Sequence, residues 1–336
     1  MNKSMLKTLS SWTLVLTMVV IILGAYTRLT DAGLGCPDWP GCYGFLKVPM
    51  SSERIALAEQ AFPERPLEPF KAWNEMVHRY FAGTLGLMIA AIFFFSWFGK
   101  EQGPRLLPTL LAGLVIFQAA LGMWTVTMSL LPIVVMAHLM GGFTLLCLLG
   151  LYWLQLRPEL VEGIETRLAS LKPLAVITTI VVALQIALGG WTAANYAALA
   201  CIELPICEAG WSSRLAISEA FDLHLGHDDY EFGVMSADAR QTIHVFHRLG
   251  AVITLLVVGL FSALLWRRAE TSTMKKLAVA LALILLLQFS LGVLNVVLHL
   301  PLINAVAHNF VGANLLLCMV LILYQLRHRA KQQEIH

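Results

Sequence analysis

The chain has 336 residues, of which 58% are hydrophobic and 13% charged, with a net charge of +2 and a mean hydropathy of +0.73. A soluble domain of this size carries more charge, and no basic block resembles a nucleic-acid patch. Composition therefore predicts an all-α integral membrane protein, partnered by lipid and not by nucleic acid.

The first apolar run, WTLVLTMVVIILGAY, follows a short basic start at Lys3 and Lys7. That start also fits a signal peptide, but no A-x-A-like site follows it, so it is read as a retained helix over about 11–29. A first outer loop, about 30–71, carries GCPDWPGC with Cys36 and Cys42. Helix 2, about 72–98, opens on EMVHR, which contains Glu75, His78 and Arg79. Helices 3 and 4 cover about 106–128 and 132–155, opened by Pro104, Pro108 and Pro132. Helix 5, about 172–196, opens at Pro173; proline is tolerated in a first turn because its missing N–H would be unpaired there. A second outer loop, about 197–239, holds Cys201 and Cys207, and also His224 and His227. Helix 6, about 240–266, opens near HVFHR, with His244, His247 and Arg248. Helices 7 and 8 cover about 274–299 and 302–326, with Pro301 between them.

Basic residues set the orientation. Lys3, Lys7, Lys100, Arg105, Arg157, Arg167, Lys172, Arg267, Arg268, Lys275, Lys276, Arg327, Arg329 and Lys331 all fall on one side. That side is read as cytoplasmic, with both termini on it, and the two long acidic loops face outward.

The halves repeat. Gly24, Thr27, Cys36, Pro40 and Cys42 match Gly189, Thr192, Cys201, Pro205 and Cys207 at one offset of 165. Gln118, Gly122 and His138 match Gln288, Gly292 and His308 at 170. Four helices per repeat keeps the halves in one orientation. The expected architecture is eight transmembrane helices in two tandem four-helix bundles, 1–165 and 166–336, related by pseudo-two-fold symmetry along the membrane normal.

Each half then offers two histidines near outer helix ends: His78 with His138, and His247 with His308. Two imidazoles facing across a bundle make an axial pair for heme iron. Hydrogen-bonded helix-end histidines are the bland alternative. Zinc is a third reading, weakened because neither half shows a further Cys or Asp beside the pair, although Glu75 could serve in the first. Ionisable groups repeated at one depth in a bilayer are rarely idle, which favours a bound iron.

Arg79 and Arg248 either pair with heme propionates or snorkel to the outer interface; Arg28 is a weaker candidate, its repeat partner being Ala193. Glu75 lies three residues before His78 and so shares its helix face. There a carboxylate can take a proton, orient water or stabilise charge developing on a macrocycle edge, or simply meet a helix dipole. The matching position is His244. Cys36–Cys42 and Cys201–Cys207 are expected as local disulfides in an oxidising outer compartment; either bond is structural, or Cys36–Cys42 is redox-active. Cys147 and Cys318 read as packing residues, His224 and His227 as solvated loop histidines or a metal site, His299 as unmatched, and His328 and His336 as tail residues.

With TRLTDAGLGCPDWPGC, EMVHR, MAHLMGG, HRLGA, AHNFVGAN and the repeat in place, the chain resembles the heme A synthase family over nearly its whole length. The resemblance implies an oxidoreductase of the bacterial cytoplasmic (inner) membrane that converts a ring methyl of heme O to the formyl group of heme A, with oxygen from water, for terminal oxidases. It implies His78 and His138 at the substrate heme, Glu75 as catalytic carboxylate, and His247 and His308 as axial ligands of a heme b. It also implies a separate electron acceptor, with heme O synthase and cytochrome oxidase assembly factors as neighbours. Two rivals compete. A bis-histidine membrane cytochrome b relaying electrons from quinol explains the histidines but not Glu75 or the paired cysteine loops. A heme-delivery or transport protein on a parallel repeat lacks the expected paired Gly/Pro breaks at mid-membrane.

Overall fold

The computed structural model describes residues 3–99, 104–160 and 165–331. Lys100 and His336 lie outside the described residues. Among the described residues, ten α-helices follow one another: α1 (Lys3–Leu29), α2 (Ser52–Ala61), α3 (Pro69–Phe98), α4 (Leu106–Thr127), α5 (Pro132–Gln155), α6 (Lys172–Ala194), α7 (Ile217–Ala220), α8 (Ala237–Arg268), α9 (Ser272–Val297) and α10 (Leu302–Lys331). All except α2 and α7 contain a stretch long and apolar enough to cross a membrane, so the eight expected spans are present.

The differences from expectation lie at helix ends and in the loops. α1 starts about eight residues earlier than the expected span, because the polar stretch before its apolar run stays helical. Thr8 bonds back to the Ser4 carbonyl, and Ser10 and Ser11 to that of Lys7, so their hydroxyls need no water. α2 lies inside the first outer loop, where the sequence predicts no helix; Ser51 caps it by accepting from the Arg54 N–H. Pro69, Pro132 and Pro173 sit in first turns, while Ser236 and Thr271 cap α8 and α9.

α1, α5, α6 and α10 pack on one another as a central layer, with α1 touching α5 and α10, and α6 touching the same two. α3 and α4 flank it on one side, α8 and α9 on the other. The same pairings recur in both halves: α1 on α3 as α6 on α8, α3 on α4 as α8 on α9, α4 on α5 as α9 on α10. The largest apolar cluster, including Phe143, Leu146, Leu168, Phe261, Leu265, Met274, Met319 and Ile322, lies where the second half meets α5.

Helix ends repeat as well. Ser129 and Leu130 end α4 with positive φ, and His299 and Leu300 do the same after α9. Leu130 donates to the Thr125 carbonyl at 2.8 Å and Leu300 to that of Asn295 at 2.7 Å. His299, unmatched by residue type, is thus matched by backbone to Ser129; histidine is among the residues that tolerate this region.

The second outer loop reaches across the first half. Tyr230 donates its N–H to the Ser129 carbonyl at 3.1 Å. Arg65 pairs with Asp229 at 2.6 Å and Glu231 at 2.7 Å. Arg65→Ala is expected to cost about 0.2–1 kcal/mol, as exposed pairs do. A thermal double-mutant cycle with Glu231→Gln measures it, and a coupling indistinguishable from zero would remove the pair from the interface.

Candidate functional site

Each repeated histidine lies edge-on against a glycine of a neighbouring helix. A Cβ on Gly24 of α1 would stand 3.0 Å from Cε1 of His78 on α3, and one on Gly189 of α6 equally 3.0 Å from Cε1 of His247 on α8. The corresponding distances are 3.4 Å from Gly122 of α4 to His138 of α5, and 3.1 Å from Gly292 of α9 to His308 of α10. A side chain there would push each ring away. The sequence shows these glycines as matched pairs; that they seat the histidines becomes visible in the packing.

Among the described residues, the backbones of α3 and α5 stay more than 8 Å apart, as do those of α8 and α10, and only side chains meet, such as the Ser96 and Tyr152 hydroxyls at 2.8 Å. Each histidine pair therefore spans a diagonal of its half, and its two members lie within electrostatic range of one another. The Nδ1 atoms of His78, His138 and His308 are buried with no hydrogen-bond partner. The Val20, Gln118 and Gln288 carbonyls, each four residues before the seating glycine, lie beside these rings without full hydrogen-bond geometry. Ligation through Nε2 would leave each Nδ1 proton facing its carbonyl. Two imidazoles across a diagonal, cleared by glycines, fit axial ligation of heme iron in each half.

Glu75 lies one turn before His78, on α3. It is 5% exposed, accepts the Cys36 N–H at 2.8 Å and pairs with Arg79. His244 holds the same position in the second half with the same two partners: the Cys201 N–H reaches its Nδ1 at 3.2 Å, and Arg248 Nε its Nε2 at 3.2 Å. The wiring around the position repeats; the chemical group does not.

The arginines also clasp the cysteine loops. Arg79 donates to the carbonyls of Asp38, at 2.9 Å, and Gly41. Arg248 donates to those of Cys201, Glu203 and Ile206, each at 2.5 Å. Residue type gives no sign of this inward set of acceptors, which differs from both propionates and the outer interface. Arg28 donates to the Ala193 carbonyl at 2.7 Å, across the halves, and stacks on Tyr196 at 4.0 Å; its Nε is buried and unpartnered.

Both expected disulfides, Cys36–Cys42 and Cys201–Cys207, are formed. In the first loop the Asp38 carboxylate accepts from the Tyr43 and Gly44 N–H groups at 2.6 and 2.9 Å. The Tyr43 phenol donates to the Pro66 carbonyl at 3.2 Å, and burial pushes it up to about 12. In the second loop Glu208 takes that place, accepting from Ile202 N–H at 2.8 Å, which holds its carboxyl below the usual range. His224 binds the Glu219 carbonyl at 3.0 Å and His227 meets the Tyr230 ring edge to face; neither joins a cluster of three metal ligands among the described residues. Cys147 and Cys318 are buried free thiols.

The family model for COX15-CtaA, cytochrome oxidase assembly protein, matches residues 7–320. A Heme A synthase of Shewanella oneidensis is 51% identical over 319 residues, covering 95% of this chain and 96% of that one. The Heme A synthases of Rickettsia bellii (29% over 352 residues, 96% and 99% covered) and Chelativorans sp. (28% over 312, 88% and 83% covered) are more distant. The matched range takes in all four seated histidines, Glu75 and both disulfide loops, and on that match the chain belongs to the COX15-CtaA family of cytochrome oxidase assembly proteins.

Proposed function

We propose that this protein is a heme A synthase: an oxidoreductase that oxidises a ring methyl of heme O to a formyl group. The balance is R–CH3 + H2O → R–CHO + 4 H⁺ + 4 e⁻, with oxygen drawn from water. Half 1–165 takes heme O between His78 and His138, and half 166–336 takes a resident heme b between His247 and His308. Bound there, heme b supplies one-electron transfer towards a separate acceptor. Both termini are cytoplasmic and both heme sites lie toward the outer side of the bacterial inner membrane. Heme O synthase and oxidase assembly factors are the expected neighbours.

The observation that carries this reading is the buried Glu75 beside one histidine pair, against His244 beside the other. An electron relay gives no role to a carboxylate in one site alone; this chain keeps the seats alike and changes one group. Held by the Cys36 N–H and Arg79, Glu75 is a fixed acceptor that can orient water or receive a proton at the edge of the first site. Arg28, with a donor to spare, is the guanidinium best placed for a propionate. Arg79 and Arg248 contribute through the loops they hold.

Extraction of noncovalent pigment from the purified protein tests the assignment. Heme B together with heme O, heme A or a partly oxidised form is expected. Heme B alone, from a host that makes heme O, would favour the relay instead.

A further inference from the structure

Three of the four seated histidines have an unpartnered Nδ1; the fourth, His247, does not. The Gln185 amide of α6 lies 3.0 Å from its Nδ1 and 2.9 Å from its backbone carbonyl. The residue 165 positions earlier, on α1 beside His78, is Val20, which has no polar side-chain atom. Room for the glutamine comes from Gly250 on α8, where a Cβ would stand 2.2 Å from Gln185 Oε1. At the 169 offset that relates His78 to His247, the matching residue is Phe81. Beside His78 the first half therefore lacks both the glutamine and the space for it; Gln118 and Gly141 form a like pair beside His138.

We propose that Gln185 is a positioning residue that fixes the ring and proton of His247 and thereby lowers the reduction potential of the heme held in the second half, relative to a ligand without such a partner. The proposal rests on the assignment of His247 as a heme ligand.

The chemistry follows from the two ring nitrogens. An imidazole that binds iron through Nε2 carries its proton on Nδ1, which must then face an acceptor. Gln185 Oε1 is buried without a donor. A half-turn of the terminal amide brings that oxygen to Nδ1–H, in exchange for the amide's own N–H bond to the His247 carbonyl. The His247 carbonyl, inside α8, keeps its own helical bond. Donation from Nδ1–H makes the ligating nitrogen more basic, which stabilises the oxidised metal. Val20 offers His78 only its backbone carbonyl, without full hydrogen-bond geometry, so the two sites differ behind the ring as well as at Glu75.

The test is potentiometric titration of the heme in the purified, heme-loaded protein. Gln185→Leu is expected to raise the potential of the second-half heme. The oxidised-to-reduced ratio at a fixed potential falls about tenfold, about 59 mV for one electron. The first-half heme does not move. Gln185→Glu, which keeps an acceptor oxygen at that reach, holds the potential at or below the starting value. Introducing the pair into the first half, Val20→Gln with Phe81→Gly, lowers the potential there. An unchanged potential in Gln185→Leu with heme in place overturns the proposal and leaves the heme assignment standing. Loss of heme from Gln185→Leu but not Gln185→Glu supports the acceptor role, and loss from both overturns it in favour of packing. Full retention of both low-spin hemes in His247→Ala overturns the ligand assignment and the proposal with it.

Discussion

Heme A formation by the Glu75→Gln variant falls about 10²-fold or more, while both hemes stay bound. The magnitude is that of losing a positioned general acid or base. Glutamine keeps the length of the side chain and an oxygen that accepts the Cys36 N–H, so the loop stays anchored. What disappears is the negative charge beside Arg79 and the capacity to take a proton. Glu75 is not among the seated ligands, so the heme spectrum should stay that of the parent protein. Comparing product by chromatography in cells expressing each variant, against heme content of the purified proteins, separates chemistry from folding. Glu75→Ala should be as inactive and less stable, because it also strands Arg79. His244→Gln, its counterpart, should retain most activity. Normal heme A output from Glu75→Gln would remove this carboxylate from the reaction.

Enlarging one seating glycine should empty one site and spare the other. Leucine at Gly24 or Gly189 must place atoms where the ring of His78 or His247 now lies, since a bare Cβ would already stand 3.0 Å from Cε1. Overpacking of this kind costs about 1–3 kcal/mol. Charged to ligand geometry, that is about 5- to 150-fold in heme retention. Gly189→Leu is expected to lose heme b and keep heme O; Gly24→Leu is expected to do the reverse. Gly113→Leu, on α4 where a Cβ meets nothing within 4 Å, is the control for membrane insertion and should keep both. Pigment analysis of the three proteins reads this out directly. Equal loss of both pigments from either variant would mean that the sites are not separable by half.

The sequence carried the eight spans because their signal is local: apolar runs of bilayer length, opened by prolines and bounded by charge. It carried the four histidines and the cysteine loops because a duplication prints them twice. It did not carry α2, whose residues have no long apolar run, or the early start of α1, where hydroxyls bond back to the helix. The arginines show the deeper limit. Arg79 and Arg248 are visible as a repeated pair, but their acceptors are loop carbonyls some forty residues away, and nothing in residue type announces those. Gln185 was invisible for the opposite reason. It breaks the repeat, and the break means something once His247 is seen beside it.

The reach of the second outer loop onto the first half bears on how such proteins can be recombined. A chimera joined at residue 165, taking its second part from a relative, would inherit Asp229, Tyr230 and Glu231 from one parent and Arg65 and Ser129 from the other. Arg28 and the Ala193 carbonyl it binds would be divided in the same way. Exchange of halves between distant relatives should therefore fail at the outer seam before it fails at either histidine pair, and co-transfer of the outer loops should rescue it. Duplication made the halves alike, but these contacts bind them to a shared evolutionary fate.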